Sequence, residues 1–200
     1  MNNRKKSRPL TRRLFRDRLN PLDFMTDGQI IKNYRLDRAS IYDLYEEMQD
    51  DLKKSTHRSS SLSVSLQVMI VLRYYASGSY MNVIGDAHGV SEMAVSRCVN
   101  AVSKNITGNI QRYLKFPVSN VNKQNIMYDF YDINEFPLVL GAIDGTLIRI
   151  KAPSVDEHLY VYRKGYHALN IQGVCNSNNR FTNVVARWPG PTHDSYIWND

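Results

Sequence analysis

The chain is 200 residues long, 42% hydrophobic and 22% charged, with 26 Lys+Arg against 19 Asp+Glu, a formal charge of +7. That length suits one ordinary domain or one small domain plus part of another, and the composition excludes a disordered or disulfide-rich chain. The charge is local: eight basic side chains from Arg4 to Arg18 stand against Asp17 alone, and residues 19–200 hold 18 basic and 18 acidic side chains.

Residues 1–25 are therefore read as a basic arm. Such an arm binds phosphate non-specifically, enters a groove, or serves as a nuclear address signal; a solvated tail is the plain alternative. No apolar run approaches the ~20 residues of a membrane span, and the charged N-terminus reads against a secretory signal. Cys98 and Cys175 are the only cysteines, too few for a disulfide framework or a Cys-based zinc site, so a reducing compartment is expected.

Residues 26–115 read as a helical region. From Ile30 to Leu52, Ile31, Tyr34, Ile41, Leu44, Met48 and Leu52 recur at three- and four-residue spacing, which predicts amphipathic helices. A serine-rich break, Lys53 to Ser61, precedes a predicted helix over Leu62–Ala76, with Val64, Val68, Val71, Leu72 and Tyr75 on its buried side.

Residues 80–104 fit a helix-turn-helix. Gly85 is the small residue midway along the first helix, Gly89 permits the turn, Val90 plugs behind it, and Ser91 caps the second helix. Val95, Cys98, Val99 and Val102 line one face of that second helix, and Arg97, Asn100 and Lys104 share the other. Arginine and asparagine can read guanine and adenine edges, and lysine can hold a phosphate, so these three are candidate DNA-binding residues. A structural αα-hairpin with a wet polar face has the same spacing.

Residues 116–135 read as a linker and one short helix carrying Ile126, Phe130 and Ile133. The texture then changes. Leu138 to Ile143 is a continuous apolar run, as in a strand covered on both faces. Tyr166–Cys175 and Phe181–Trp188 are further β-rich runs around the turn Asn176-Ser177-Asn178-Asn179, so helices give way to a three-strand meander. Asp144 follows the apolar run, where a buried unpaired carboxylate would cost several kcal/mol, and a metal ion is one partner that answers it. Asp194 lies just past a later strand, after Pro189-Gly190-Pro191. Two carboxylates at neighbouring strand ends suit a hard divalent cation, although an Asp in a turn is common.

Three segments carry a resemblance. Gly141-Ala142-Ile143-Asp144-Gly145-Thr146, Arg163-Lys164-Gly165-Tyr166-His167-Ala168-Leu169-Asn170 and Ala186 to Ser195 together resemble the nuclease of the PIF/Harbinger transposases and their domesticated relatives, within the DDE superfamily endonucleases. Val95-Ser96-Arg97 and Arg18-Leu19-Asn20-Pro21-Leu22 also fit that pattern, which runs from about residue 18 to the end.

The resemblance implies an α+β chain: a helical helix-turn-helix module, then, over 136–200, the first strands of an RNase H-like α/β nuclease core, incomplete. It implies Asp144 and Asp194 as catalytic and metal-binding carboxylates for a divalent cation, Mg²⁺ or Mn²⁺, and phosphodiester hydrolysis or strand transfer on DNA. Arg163 and Lys164 become candidate DNA-binding residues, an exposed hairpin turn being their plain alternative; His193 reads as a solvated surface histidine. The resemblance also implies a Myb/SANT-like partner protein and nuclear localisation. The family's remaining carboxylates lie downstream of Asp200, in a Gly-Asp-Ser-Gly-type segment and on a later helix. The chain is therefore expected to be a truncated isoform or an incomplete gene model, inactive alone. The alternative function is a non-catalytic DNA-binding or partner-binding protein.

Overall fold

The structure, a computed structural model, describes residues 20–53 and 61–198; most of the basic arm and of the serine-rich break lie outside them. The chain is α+β and divides into two compact units, residues 1–108 and 109–200. No helix among the described residues is long and apolar enough to cross a membrane.

The first unit is helical, and its helix starts are written in side-chain caps. Asn20 accepts the Leu22 N–H at the head of α1 (Pro21–Phe24). Thr26 and Gln29 form a reciprocal capping box on α2 (Asp27–Tyr34), and Asp37 caps α3 (Arg38–Glu47). A short α4 (Gln49–Leu52) follows. Ser63 then caps α5 (Val64–Ser77), which ends at Gly78 with φ 60°.

The core is built around α5. Leu66 to Val71 are buried without interruption, as in a helix surrounded by others. Gln67 is among them, and its Nε2 donates to Leu62 O at 3.1 Å, which satisfies the one polar side chain in that stretch. Met69 packs with Leu22, Ile30, Tyr34 and Ile41. Val68, Ile70 and Val71 pack with Met48, Val95 and Val102. Two expectations shift. Tyr75 is 54% exposed rather than buried, because burial on α5 follows position along the helix more than face; its hydroxyl meets Ser103 Oγ at 2.5 Å. On α2, Ile30 and Tyr34 are buried, and Ile31 is exposed.

Next come α6 (Met81–His88) and α7 (Glu92–Gly108), joined by a tight turn. Gly89 ends α6 at φ 64°, a conformation glycine adopts without cost. A Cβ on Gly85 would stand 2.7 Å from Val90 O, so only a residue without a side chain lets the two helices meet this closely. Cys98 is buried in the core.

In the second unit, α8 (Ile110–Tyr113) and α9 (Asn120–Asn134) precede β1 (Ala142–Arg149). The expected short helix is in fact 15 residues long, because Ser119 caps it through the Asn122 N–H and its polar start continues the helix. The first strand also begins later than expected. Leu138 sits at φ 63° and is 79% exposed, so the apolar run from Leu138 leads into β1 rather than forming it.

The three long strands form an antiparallel meander in which β3 (Tyr166–Cys175) lies between β1 and β4 (Phe181–Pro189). A two-residue strand β2 (Val161–Tyr162) pairs with the start of β3. The turn after β3 is organised by Asn176, whose Oδ1 accepts the N–H groups of Asn178 and Arg180 at 3.1 and 3.0 Å. A short α10 (Asp194–Trp198) follows β4.

Candidate functional site

The register of β1 on β3 sorts the candidate residues by face. Asp144 pairs with Gly173, Gly145 with Gln172 and Leu147 with Asn170. Directly paired residues project to the same face and neighbours along a strand to opposite faces, so Gly145, Leu147, Asn170 and Gln172 share one face and Asp144 projects to the other.

Asp194, the first residue of α10, rests on the Gly145 face. A Cβ on Gly145 would lie 2.8 Å from Asp194 Oδ1, so the glycine is the seat of this carboxylate. Asn170, only 5% exposed, fixes it: its Nδ2 donates to Asp194 Oδ1 at 2.7 Å and to Thr192 O at 2.9 Å. Gln172 Nε2 reaches Asp194 O at 3.5 Å. The chain returns over the sheet through Pro189-Gly190-Pro191, where Gly190 N–H donates to Ala168 O at 2.8 Å and Thr192 N–H to Pro189 O at 3.0 Å. Tyr196 of α10 meets Trp188 of β4 edge-to-face at 5.1 Å, and Ile197 is buried beneath.

Asp144 lies inside β1, not in a turn after it. The Ile150 N–H bonds His167 O at 3.0 Å, so the even-numbered residues of β1 direct their backbone groups at β3 and the Gly145 N–H points away from it. Asp144 Oδ1 accepts that outward N–H at 2.9 Å. Among the described residues β1 pairs only with β3, so this carboxylate stands at the open edge of the sheet. Asp144 and Asp194 are both exposed and flank Gly145 from two sides of the strand rather than meeting on one face. No group of three or more His, Cys, Asp or Glu placed to hold a metal occurs among the described residues. His193 is exposed, with Nδ1 2.8 Å from Ser195 Oγ.

Arg163 and Lys164 are exposed in the turn between β2 and β3, which closes at Gly165 with φ 78°. Arg163 Nε donates to the Tyr162 hydroxyl at 2.9 Å. A cleft of about 450 Å³ opens here, lined by Gly145, Tyr162, Arg163, Asn170, His193 and Asp194 among others; Lys164 and Asp144 do not line it. The remaining candidates belong to the first unit. Arg97, Asn100 and Lys104 are exposed on the side of α7 opposite buried Val95, Cys98 and Val102, and Asn100 Nδ2 donates to Ser96 O at 3.1 Å.

Sequence reasoning missed Gly145 and Asn170 as the residues that place Asp194. A signal was there for the second: Asn170 and Gln172 alternate within a β-rich run, and polar side chains buried on one face of a strand must find partners. The close approach at Gly145 depends on where the chain returns after β4, which local sequence does not state.

A family model described as DDE superfamily endonuclease matches residues 143–200. The human protein named "Putative nuclease HARBI1" is 35% identical over 176 residues, 88% of this chain and 50% of its own length. Its namesake in Xenopus laevis is 34% identical over 156 residues, 78% of this chain and 45% of its own. The Arabidopsis thaliana "Protein ALP1-like" is 28% identical over 145 residues, 72% of this chain and 35% of its own. The chain thus spans about half the length of the curated HARBI1 relatives it matches, or somewhat less. No solved structure matches it significantly.

Proposed function

Because the chain belongs to the Harbinger transposase-derived family of DDE superfamily endonucleases, we propose that its second unit is the metal-binding part of a nuclease acting on the phosphodiester bonds of DNA. The observation that carries this reading is the Asp194 carboxylate seated on Gly145 and held by Asn170, one residue along the strand from Asp144. Carboxylate oxygens are hard donors of the kind Mg²⁺ or Mn²⁺ takes, and one ion shared by both would require the Asp144 side chain to turn from the strand edge towards the Gly145 face. A divalent ion bound there supplies Lewis-acid polarisation of a phosphoryl oxygen and a lowered pKa for attacking water. Asn170 orients Asp194, and Arg163 across the cleft contacts DNA phosphate.

Two carboxylates leave most of such an ion's positions to water and substrate oxygens, so the pair by itself binds metal weakly. Mn²⁺ titration followed by electron paramagnetic resonance tests the assignment without relying on turnover. Asp144→Asn, Asp194→Asn and Gly145→Ala should each weaken Mn²⁺ binding about tenfold or more, while Asp156→Asn leaves it unchanged. Binding that is the same in all four variants removes the two carboxylates from the metal site.

A second reading rests on α6 and α7. The Gly85 contact, the left-handed turn at Gly89 and the exposed Arg97, Asn100 and Lys104 favour a DNA-binding helix-turn-helix. On this reading α7 contributes the base and phosphate contacts, in the nucleus and alongside a Myb/SANT-like partner. Arg97→Ala should lower affinity for duplex DNA several-fold at fixed salt. Unchanged binding by that variant in a fluorescence anisotropy titration would assign α7 to packing alone.

A further inference from the structure

The Asp194 face of the sheet carries a second feature that metal chemistry does not use. Tyr162 pairs directly with Tyr166, and Tyr166 lies four residues before Asn170 on β3, so both tyrosines project to the face that holds Asn170 and Asp194. Arg149 pairs with Ala168 and joins them there. These side chains form a row, Arg149–Tyr166–Tyr162–Arg163, with the two tyrosine rings tilted 50° to one another. The Arg149 guanidinium lies 4.2 Å from the Tyr166 ring centroid, the Tyr166 and Tyr162 rings are 5.4 Å apart, and the Arg163 guanidinium lies 5.5 Å from the Tyr162 centroid. Together they make one cation–aromatic ladder, and Tyr162 and Arg163 at its end line the same cleft as Asp194.

We infer that the Tyr162–Arg163 end of this ladder is a binding site for an unpaired nucleobase. This deepens the nuclease reading and rests on it for the choice of nucleic acid as ligand. The chemistry is that of single-strand binders, in which aromatic rings and guanidinium planes offer flat faces to bases while a cation holds the neighbouring phosphate. Arg163 can do both: its Nε is bonded to the Tyr162 hydroxyl, which fixes the guanidinium plane, and the group has five N–H donors in all. A base inside a duplex has both faces covered by its neighbours, so the site selects a strand that is frayed, flipped or single. A cleft of about 450 Å³ is within the size range of small-ligand pockets. The phosphate on one side of the bound base then falls towards Asp194, and the ladder determines which linkage along the strand is presented.

Photo-cross-linking with the full chain tests this directly. A single-stranded oligonucleotide carrying 5-iododeoxyuridine is irradiated with the protein in EDTA, and the adduct is located by mass spectrometry. The expected adduct is at Tyr162; it persists in Tyr162→Phe, which keeps the ring, and disappears from this site in Tyr162→Ala. Arg163→Lys, which keeps the charge but loses the plane, should weaken single-strand binding about tenfold relative to duplex. Adducts found only elsewhere, or equal single-strand preference in Tyr162→Ala and the parent, overturn the inference; thermal melts of each variant exclude unfolding as the cause. EDTA keeps the two readings separate, since failure of the metal assignment leaves this adduct intact and failure of the adduct leaves Mn²⁺ binding intact.

Discussion

At the residue scale, burial decides which side chains are set for chemistry and which are held neutral. His88 is 8% exposed, and its Nδ1 is 3.0 Å from Ile84 O. Burial pushes its pKa below the ordinary 6.5; the bond to Ile84 opposes that shift and the nearby Arg73 charge adds to it. The unfolded chain therefore binds a proton at a pH where the folded one does not. Stability owed to neutral His88 is complete above pH 6.5 and is lost as the pH falls below it, towards the depressed folded value. Urea unfolding of the parent should give a lower midpoint at pH 5.5 than at pH 7.5, and His88→Gln should reduce that difference. Asp194 differs in kind: it is exposed, and what fixes it is geometry, through the Gly145 seat and the Asn170 amide.

At the scale of elements, the α6–α7 pair shows how one atom controls a packing. Alanine at position 85 brings a Cβ within 2.7 Å of the Val90 carbonyl, which is backbone and cannot turn aside. Gly85→Ala should cost about 1–3 kcal/mol and lower the melting temperature by several degrees. Gly28→Ala, where nothing lies within 4 Å, should not lower it. Gly85 and Gly89 were legible in the sequence because the need for a small residue and a left-handed turn is local. So were β3 and β4, whose β-rich runs are bounded by an Asn-rich turn. The beginning of β1 was not. Leu138, Val139 and Leu140 look like strand by composition, yet the left-handed Leu138 after Pro137 keeps the chain out of the ladder until Ala142. The face of Asp144 was equally hidden, since a one-residue slip of β1 against β3 would have turned it to the other side.

At the scale of the whole molecule, charge is distributed unevenly between an arm and a neutral body. The eight basic side chains from Arg4 to Arg18 account for the excess of the chain, so non-specific DNA binding should be a property of that segment. Removing residues 1–18 should flatten the dependence of log affinity on log salt by up to about six units if every net charge meets a phosphate. Anisotropy titrations at several salt concentrations measure this, and an unchanged slope would move the phosphate contacts to the two units. The edge of β1 that no other described strand pairs matters for work with the purified protein. An unpaired strand is a template on which a second copy can add its own strand, and a fixed negative charge at such an edge discourages it. Asp144 is that charge, and its oxygen also occupies the outward N–H of Gly145. Asp144→Asn, one of the variants that tests the metal assignment, therefore also removes a guard against self-association, and its colloidal behaviour should differ from the parent's at high protein concentration.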